Sequence, residues 1–382
     1  MTSPQFLRVH LLLTKIWGGT HVKSLSHKIL WILAVPLLTY FCQTVQADAD
    51  KPFDHEGSLT LQSSKPLHAG TDIDKHQVVI WSDGTRMVGD IYKPKELSKE
   101  EKLPAIIFCN GTGGTKDGTP ARLAPLFVQN GFIFLAFDYR GWGHSDSKLM
   151  LVDRMPQVDA NGETTARVKP IRWQLDFADQ TCDIRNAISF IEGEPNVDPD
   201  RIGIMGSSYG GGLVTWIAGN DPRVKCVVAQ VPGMAGGRKG AAEKASYALA
   251  TKQARGETEP VPIETGKLTG KMERFPQMRR NPAKSIGYSP IEAANKIDIP
   301  MLIVVAENDE LVNNDANGKK VYDIVKSKGN VPVAYHLIKN IGHFDVYGKG
   351  LKEAFELELQ WYQEHLKDSL STNPAHTVVD SI

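Results

Sequence analysis

Cysteine is scarce: the 382 residues contain four, and no two of them form a C-x-x-C pair. That excludes a small scaffold stapled by disulfides, and it removes the usual cysteine spacing of zinc and dithiol redox sites. Net charge is missing too. The 44 Lys and Arg cancel the 44 Asp and Glu, so the overall field offers no grip on a phosphate backbone and argues against nucleic-acid binding. There is no internal repeat, and no run reaches the roughly 20 apolar residues that a bilayer-spanning helix needs. What remains is 41% hydrophobic and 23% charged, with 34 Gly and 22 Pro. This is the composition of a globular chain with a sizeable packed core.

The first 47 residues have no acidic side chain, only Arg8, Lys15, Lys23 and Lys28. An apolar run from Ile29 to Cys42, interrupted by Pro36, follows, and then Val45-Gln46-Ala47 precede the acidic Asp48-Ala49-Asp50. A positive segment, an apolar segment and a small-residue site in that order make an export signal, with cleavage expected after Ala47. The expected location is therefore secreted or periplasmic, with no stable membrane insertion after cleavage. The exported chain keeps Cys109, Cys182 and Cys226; the odd number leaves at least one thiol free or paired between chains.

Residues 48–75 read as an N-terminal extension, residues 76–367 as one domain and residues 368–382 as a loose polar tail. Within the domain, Gln77 to Trp81 and Met87 to Tyr92 flank the turn signal Ser82-Asp83-Gly84-Thr85 and predict a hairpin. Ala105 to Cys109, Phe132 to Phe137, Ile202 to Met205, Cys226 to Val231, Met301 to Ala306 and Val331 to Ile338 are short, mostly apolar runs, as strands buried on both faces are. Two helical stripes stand out, Phe177-Thr181-Ile184-Ile188-Ile191 and Leu351-Phe355-Leu359-Tyr362-Leu366, at spacings of three and four. The alternation predicts an α/β fold with a doubly wound, mostly parallel sheet, two antiparallel strands at one end and a final helix packed back on it. Residues 235–285 break the pattern, with 11 Lys or Arg against 5 Glu and a helical piece near Ala241 to Gln253. They read as a cap over the strand ends, where open α/β sheets bind ligands.

The segment Arg201 to Gly212, RIGIMGSSYGGG, places G-x-S-x-G between a strand and a helix. Glycines two before and two after leave room for a strained turn that lifts the central side chain above the sheet. Ser208 has glycines at both positions, whereas Ser207 would have Met205 and Tyr209, so Ser208 is the candidate nucleophile. A serine hydroxyl needs a base, and the base needs a carboxylate to orient it. The strand at Met301 runs into Glu307-Asn308-Asp309-Glu310, and the last strand runs into Asn340-Ile341-Gly342-His343. If these strands are parallel, both loops leave the sheet at the same edge as the serine turn. Asp309 is the expected acid, with Glu307 in reserve, and His343 is the expected base; His336 sits inside the strand pattern. Asn110-Gly111-Thr112-Gly113-Gly114 follows another strand, and the Thr112 and Tyr209 amides are the expected donors to an oxyanion. This loop lacks the Gly-Lys-Ser/Thr of a phosphate-binding loop. Asp138 and Arg140 are expected to be structural, and His144 to shape the rim of the pocket.

NGTGG, DYRGWGHS, VDPDRIGIMGSSYGGG, AENDELV and GHFDVY, in that order over residues 76 to 366, resemble the α/β-hydrolase superfamily, in its dienelactone-hydrolase-like and acetyl-xylan-esterase-like branch related to the Xaa-Pro dipeptidyl peptidases. Asn110 stands where family members usually carry His before the oxyanion-loop glycine. The resemblance implies a serine hydrolase of small-molecule carboxylic esters working without metal or organic cofactor, and the N-terminal segment adds that it is exported. The basic cap adds an expected tolerance for acidic ester substrates. A peptidase or amidase of the dipeptidyl-peptidase type shares the same parts, and a non-catalytic binding protein on a hydrolase fold is the third reading.

Overall fold

The computed structural model describes residues 72–234, 240–262 and 275–367. The expected export signal, most of the expected extension and the C-terminal tail lie outside them, as do parts of the expected cap.

Eight strands form one sheet: β1 (Ile73–Ser82), β2 (Thr85–Pro94), β3 (Leu103–Cys109), β4 (Ile133–Phe137), β5 (Val197–Ser207), β6 (Val224–Gln230), β7 (Met301–Ala306) and β8 (Val333–Ile338). Their spatial order is β1-β2-β4-β3-β5-β6-β7-β8. β2 is antiparallel to both of its neighbours, and every pairing from β4 to β8 is parallel. The hairpin turns on Asp83 (φ 45°) and Gly84 (φ 74°). Two successive positive φ values match the twist of the flanking strands, which is why an Asp-Gly pair closes it. All residues of β4 and β7 are buried, as continuous apolar runs in a parallel sheet require.

Among the described residues, six helices of eight or more residues accompany the sheet: α1 (Thr119–Val128), α2 (Phe177–Glu192), α3 (Tyr209–Ala218), α4 (Ala241–Ala254), α5 (Lys320–Ser327) and α6 (Leu351–Tyr362). In α2 the Asp176 carboxylate caps the first turn by accepting from the Asp179 amide at 3.0 Å, and Thr181, Ile184, Ile188 and Ile191 form its buried stripe. α6 buries a broader face than its apolar spacing indicates. Ala354, Leu357, Leu359, Trp361 and Tyr362 turn inward, and so does Glu358. Tyr362 packs straight onto β5: a β-carbon at Gly203 would sit 2.7 Å from its ring, and its hydroxyl donates to the Ile204 carbonyl at 2.8 Å. Phe127 of α1 joins this layer, stacked on Phe134 at 5.5 Å and edge-on to Tyr362 at 6.0 Å.

The register sets the site. Cys109 of β3 pairs with Gly206 of β5, Ser207 pairs with Gln230 of β6, and Ala306 of β7 pairs with Ile338 of β8. The carboxyl ends of these strands therefore lie along one edge. The chain winds one way from β3 to β4 and the other way from β5 onward, which opens a crevice between β3 and β5. Of the 235–285 segment, residues 240–262, which include α4, and residues 275–285 are described. Arg279–Arg280 adds a short parallel pairing to Gln174–Leu175 near that edge.

Candidate active site

β5 ends at Ser207, and α3 begins at Tyr209. Ser208 between them has φ 54° and ψ −117°, a conformation that costs a non-glycine residue on the order of 1–3 kcal/mol. The neighbouring glycines are sterically obligatory. A β-carbon at Gly206 would lie 2.3 Å from the Gly210 carbonyl oxygen, and one at Gly210 would lie 2.1 Å from the Cys109 carbonyl oxygen. The turn is held from outside by the end of β6 and the segment that follows it. The Ser208 amide donates to the Gln230 carbonyl at 2.8 Å, and the Gly233 amide donates to the Ser208 carbonyl at 2.9 Å.

His343 opens a short turn, residues His343–Tyr347, and places Nε2 2.9 Å from Ser208 Oγ. Its Nδ1 lies 2.7 Å from Asp309 Oδ2. A carboxylate only accepts, so Nδ1 carries the proton and Nε2 is left as the acceptor for the serine hydroxyl. The Asp309 side chain is fixed from its other oxygen, which accepts from the Leu311 and Val312 amides at 2.9 and 2.7 Å. Both ring and carboxylate side chains are 1% exposed. The structure thus brings together Ser208, Asp309 and His343, residues that are 34 to 135 positions apart in the chain. Glu307, the reserve acid, accepts from the Asn340 amide at 2.7 Å instead. His336 faces Glu353 at 3.1 Å, away from the site.

Gly111 crosses directly over the serine turn: a β-carbon there would lie 2.8 Å from the Ser207 carbonyl oxygen. Thr112 and Tyr209 line the same cavity as Ser208, and among the described residues neither amide has a backbone acceptor. The Tyr209 amide opens α3, so the positive end of that helix faces the serine. Asn110 takes a structural role, its amide group donating to the Phe137 carbonyl at 3.1 Å.

The cavity measures about 590 Å³. Phe108, Leu175, Phe177, Phe275, Leu311 and Phe344 contribute apolar surface, and Arg280 lies on the wall. No Asp or Glu is among its described lining residues. Nor do the described residues place three or more His, Cys, Asp or Glu where they could hold a metal ion.

Several polar residues near the sequence motifs serve the scaffold. Arg140 is buried against Asp183 and reaches Asp83 at 3.0 Å. Burial pushes the Asp183 carboxyl up to about 6, against the pull of Arg140. Asp138 accepts from the Lys116 and His144 amides at 2.7 and 2.9 Å, and burial raises its pKa. His144 faces Asp117 at 3.0 Å and is absent from the cavity wall, so it does not shape the rim as its position in the motif suggested. Cys109, Cys182 and Cys226 are all free thiols, the first and last fully buried.

A parallel sheet in this strand order, with a serine on the strained turn after β5 and an acid and a histidine following β7 and β8, defines the α/β-hydrolase arrangement. The chain has the α/β-hydrolase fold, and two hydrolase family models each match part of it. Residues 83–248 match the family model for X-Pro dipeptidyl-peptidase (S15 family), and residues 184–345 match that for the C-terminal part of BAAT and acyl-CoA thioester hydrolases. An Escherichia coli protein, the "31.7 kDa protein in traX-finO intergenic region", is 29% identical over 290 residues, 69% of this chain and 92% of that one. The thiohydrolase apmlB of Arthrinium phaeospermum is 32% identical over 150 residues, 39% of this chain and 40% of that one. Among solved structures, DcsB in complex with its substrate analogue superimposes with a TM-score of 0.58 at 20% identity, covering 77% of this chain and all of that one.

Proposed function

We propose that this chain is an exported serine hydrolase that cleaves carboxylic esters through an acyl-enzyme on Ser208. The observation that carries the reading is the unbroken line from Asp309 through His343 to the Ser208 hydroxyl, at 2.7 and 2.9 Å. His343 Nε2 takes the hydroxyl proton as Ser208 Oγ bonds to the acyl carbon, and Asp309 stabilises the imidazolium that results. The acyl oxygen becomes negative against the Thr112 and Tyr209 amides, an interaction of a kind worth several kcal/mol in the transition state. The alkoxide leaves with the proton held on His343, and water, deprotonated by the same nitrogen, then frees the acid and restores Ser208.

The apolar side chains Phe108, Leu175, Phe177, Phe275, Leu311 and Phe344 on the cavity wall suit an apolar acyl group. The net positive charge of residues 235–285, 11 Lys or Arg against 5 Glu, supports tolerance of an acid-bearing ester. A thioester presents the same acyl carbon with a better leaving group, and the apmlB and acyl-CoA thioester hydrolase likenesses favour including it as a second reading.

Labelling with a fluorophosphonate, followed by peptide mapping, tests the nucleophile: label is expected on Ser208 and absent in Ser208→Ala. A hydrolysis screen over aryl esters, sugar acetates, lactones, thioesters and matched amides then reads the substrate. Amide cleavage at or above the ester rate, or full activity in Ser208→Ala, refutes the reading. Export rests on residues 1–47 and is tested by fractionating cells and sequencing the mature N-terminus, expected at Asp48.

A further inference from the structure

Behind the serine turn runs a polar chain that the acyl-transfer steps do not use. Ser207 is 1% exposed, and its hydroxyl donates to Gln230 Oε1 at 2.7 Å. That uses its one proton, so the Tyr347 hydroxyl, also 2.7 Å from Ser207 Oγ, is the donor in the second bond. Gln230 Nε2 in turn donates to Glu358 Oε1 at 2.9 Å. The bonds therefore point one way, from Tyr347 through Ser207 and Gln230 to Glu358, and such chains polarise one another.

The ends of this chain matter. Tyr347 belongs to the same short turn as His343. Ser207 is the residue before the nucleophile, and Gln230 also accepts the Ser208 amide through its main-chain carbonyl. Val231, next in sequence, has φ 38°, a rare conformation for a β-branched residue. Glu358 is fully buried on α6, and its Oε2 has no hydrogen-bond partner. Burial pushes its pKa up to about 8, so at neutral pH it sits there as the uncharged acid. A buried carboxyl with one unmet oxygen is a costly choice for a core position, and its one side-chain bond goes to Gln230.

We propose that Gln230 and Glu358 are positioning residues: through Ser207 and Tyr347 they brace the nucleophile turn against the His343 turn, so that the Ser208 hydroxyl keeps its reach to the imidazole. This rests on Ser208 being the nucleophile. Ser207 and Tyr347 line the cavity whereas Gln230 and Glu358 do not, so a change at Glu358 alters the geometry of attack without removing a wall residue.

The test measures the rate of fluorophosphonate labelling, and kcat and KM on a p-nitrophenyl ester, for wild type, Glu358→Gln, Glu358→Leu and Tyr347→Phe. Glu358→Gln keeps the acceptor for Gln230 and is expected within about twofold of wild type, whereas Glu358→Leu is expected to lose about 10- to 100-fold in labelling rate and kcat with KM nearly unchanged, since ångström-scale misplacement costs up to that much. Tyr347→Phe deletes one oxygen and is expected to fold in any case. It breaks the link to the His343 turn and should slow labelling in the same sense. Wild-type labelling rates in folded Tyr347→Phe and Glu358→Leu overturn the brace, including the case where Glu358→Leu merely melts at lower temperature. A wild type that takes no label on Ser208 refutes the nucleophile assignment itself and the brace with it, a result distinct from labelled variants at full speed.

Discussion

Replacing Glu358 by Gln should flatten the pH dependence of folding stability. In the folded chain burial raises this carboxyl from an ordinary value of 4.5 to about 8. An unfolded chain ionises it near 4.5, while the folded chain holds the proton up to about pH 8. The unfolded state therefore binds fewer protons across that window, and stability falls as pH rises through it. Below 4.5 and above 8 the group contributes no slope. At about 1.4 kcal/mol per pH unit, the full span costs on the order of 5 kcal/mol, and the step from pH 5 to pH 7 on the order of 3 kcal/mol. In Glu358→Gln the amide oxygen still accepts from Gln230, and its nitrogen replaces the oxygen that has no partner. The variant keeps the packing of the neutral acid and cannot ionise. Asp183, also raised, to about 6, titrates in the same range but equally in both proteins, so it cancels in the difference. Thermal melts of wild type and variant from pH 5 to pH 8 should diverge, the wild type losing roughly 5 °C more than the variant between pH 5 and pH 7 at about 2 °C per kcal/mol. Parallel melting curves refute the argument, because they would mean that Glu358 is already ionised, or solvated, in the folded chain.

Asp309→Asn should leave melting nearly unchanged, because an amide oxygen can still accept from the Leu311 and Val312 amides. It presents an N–H to His343 Nδ1 and selects the wrong tautomer, so esterase kcat should fall by about 10⁴, as in other serine triads. Glu307→Gln, in contrast, should retain most of its activity in the same assay, since Glu307 ties the β7 and β8 loops together on the exposed side. Gly210→Ala forces a β-carbon to within 2.1 Å of the Cys109 carbonyl oxygen; loss of soluble folded protein, or destabilisation of several kcal/mol, is expected by circular dichroism. Arg140→Met strands the buried Asp183 carboxylate and should cost about 3–5 kcal/mol in denaturant unfolding, while the folded fraction labels at an unchanged rate.

The strands and the two longer helical stripes were legible because each is written in local periodicity. Ala105 to Cys109 and Met301 to Ala306 are unbroken apolar runs, and their observed bounds, Leu103–Cys109 and Met301–Ala306, differ little. α1 and α5 were less legible. α1 carries Pro120 and Pro125 within ten residues, and α5 is only eight residues long, too short for a stripe to rise above its flanks. Glu358 shows the limit from the other side. A glutamate among the polar positions of α6 reads as solvent-facing, and nothing local marks it as the buried partner of Gln230, 128 positions away.

By itself, the sequence determined the strained turn. Two glycines flanking Ser208 between a strand and a helix mark it in the local sequence, although only the clash at Gly206 lies within the turn, the one at Gly210 being with Cys109 of β3. It also determined the order of serine, acid and histidine, whereas their shared edge of the sheet follows from the parallel pairing of the strands. Only the tertiary structure decided that Asp309 rather than Glu307 meets the imidazole, that His144 turns to Asp117, and that Ser207, Gln230, Tyr347 and Glu358 join behind Ser208. Those choices depend on hydrogen-bond directions and burial between residues far apart in the chain, and these come into being only when the strands take their register and α6 closes over the sheet.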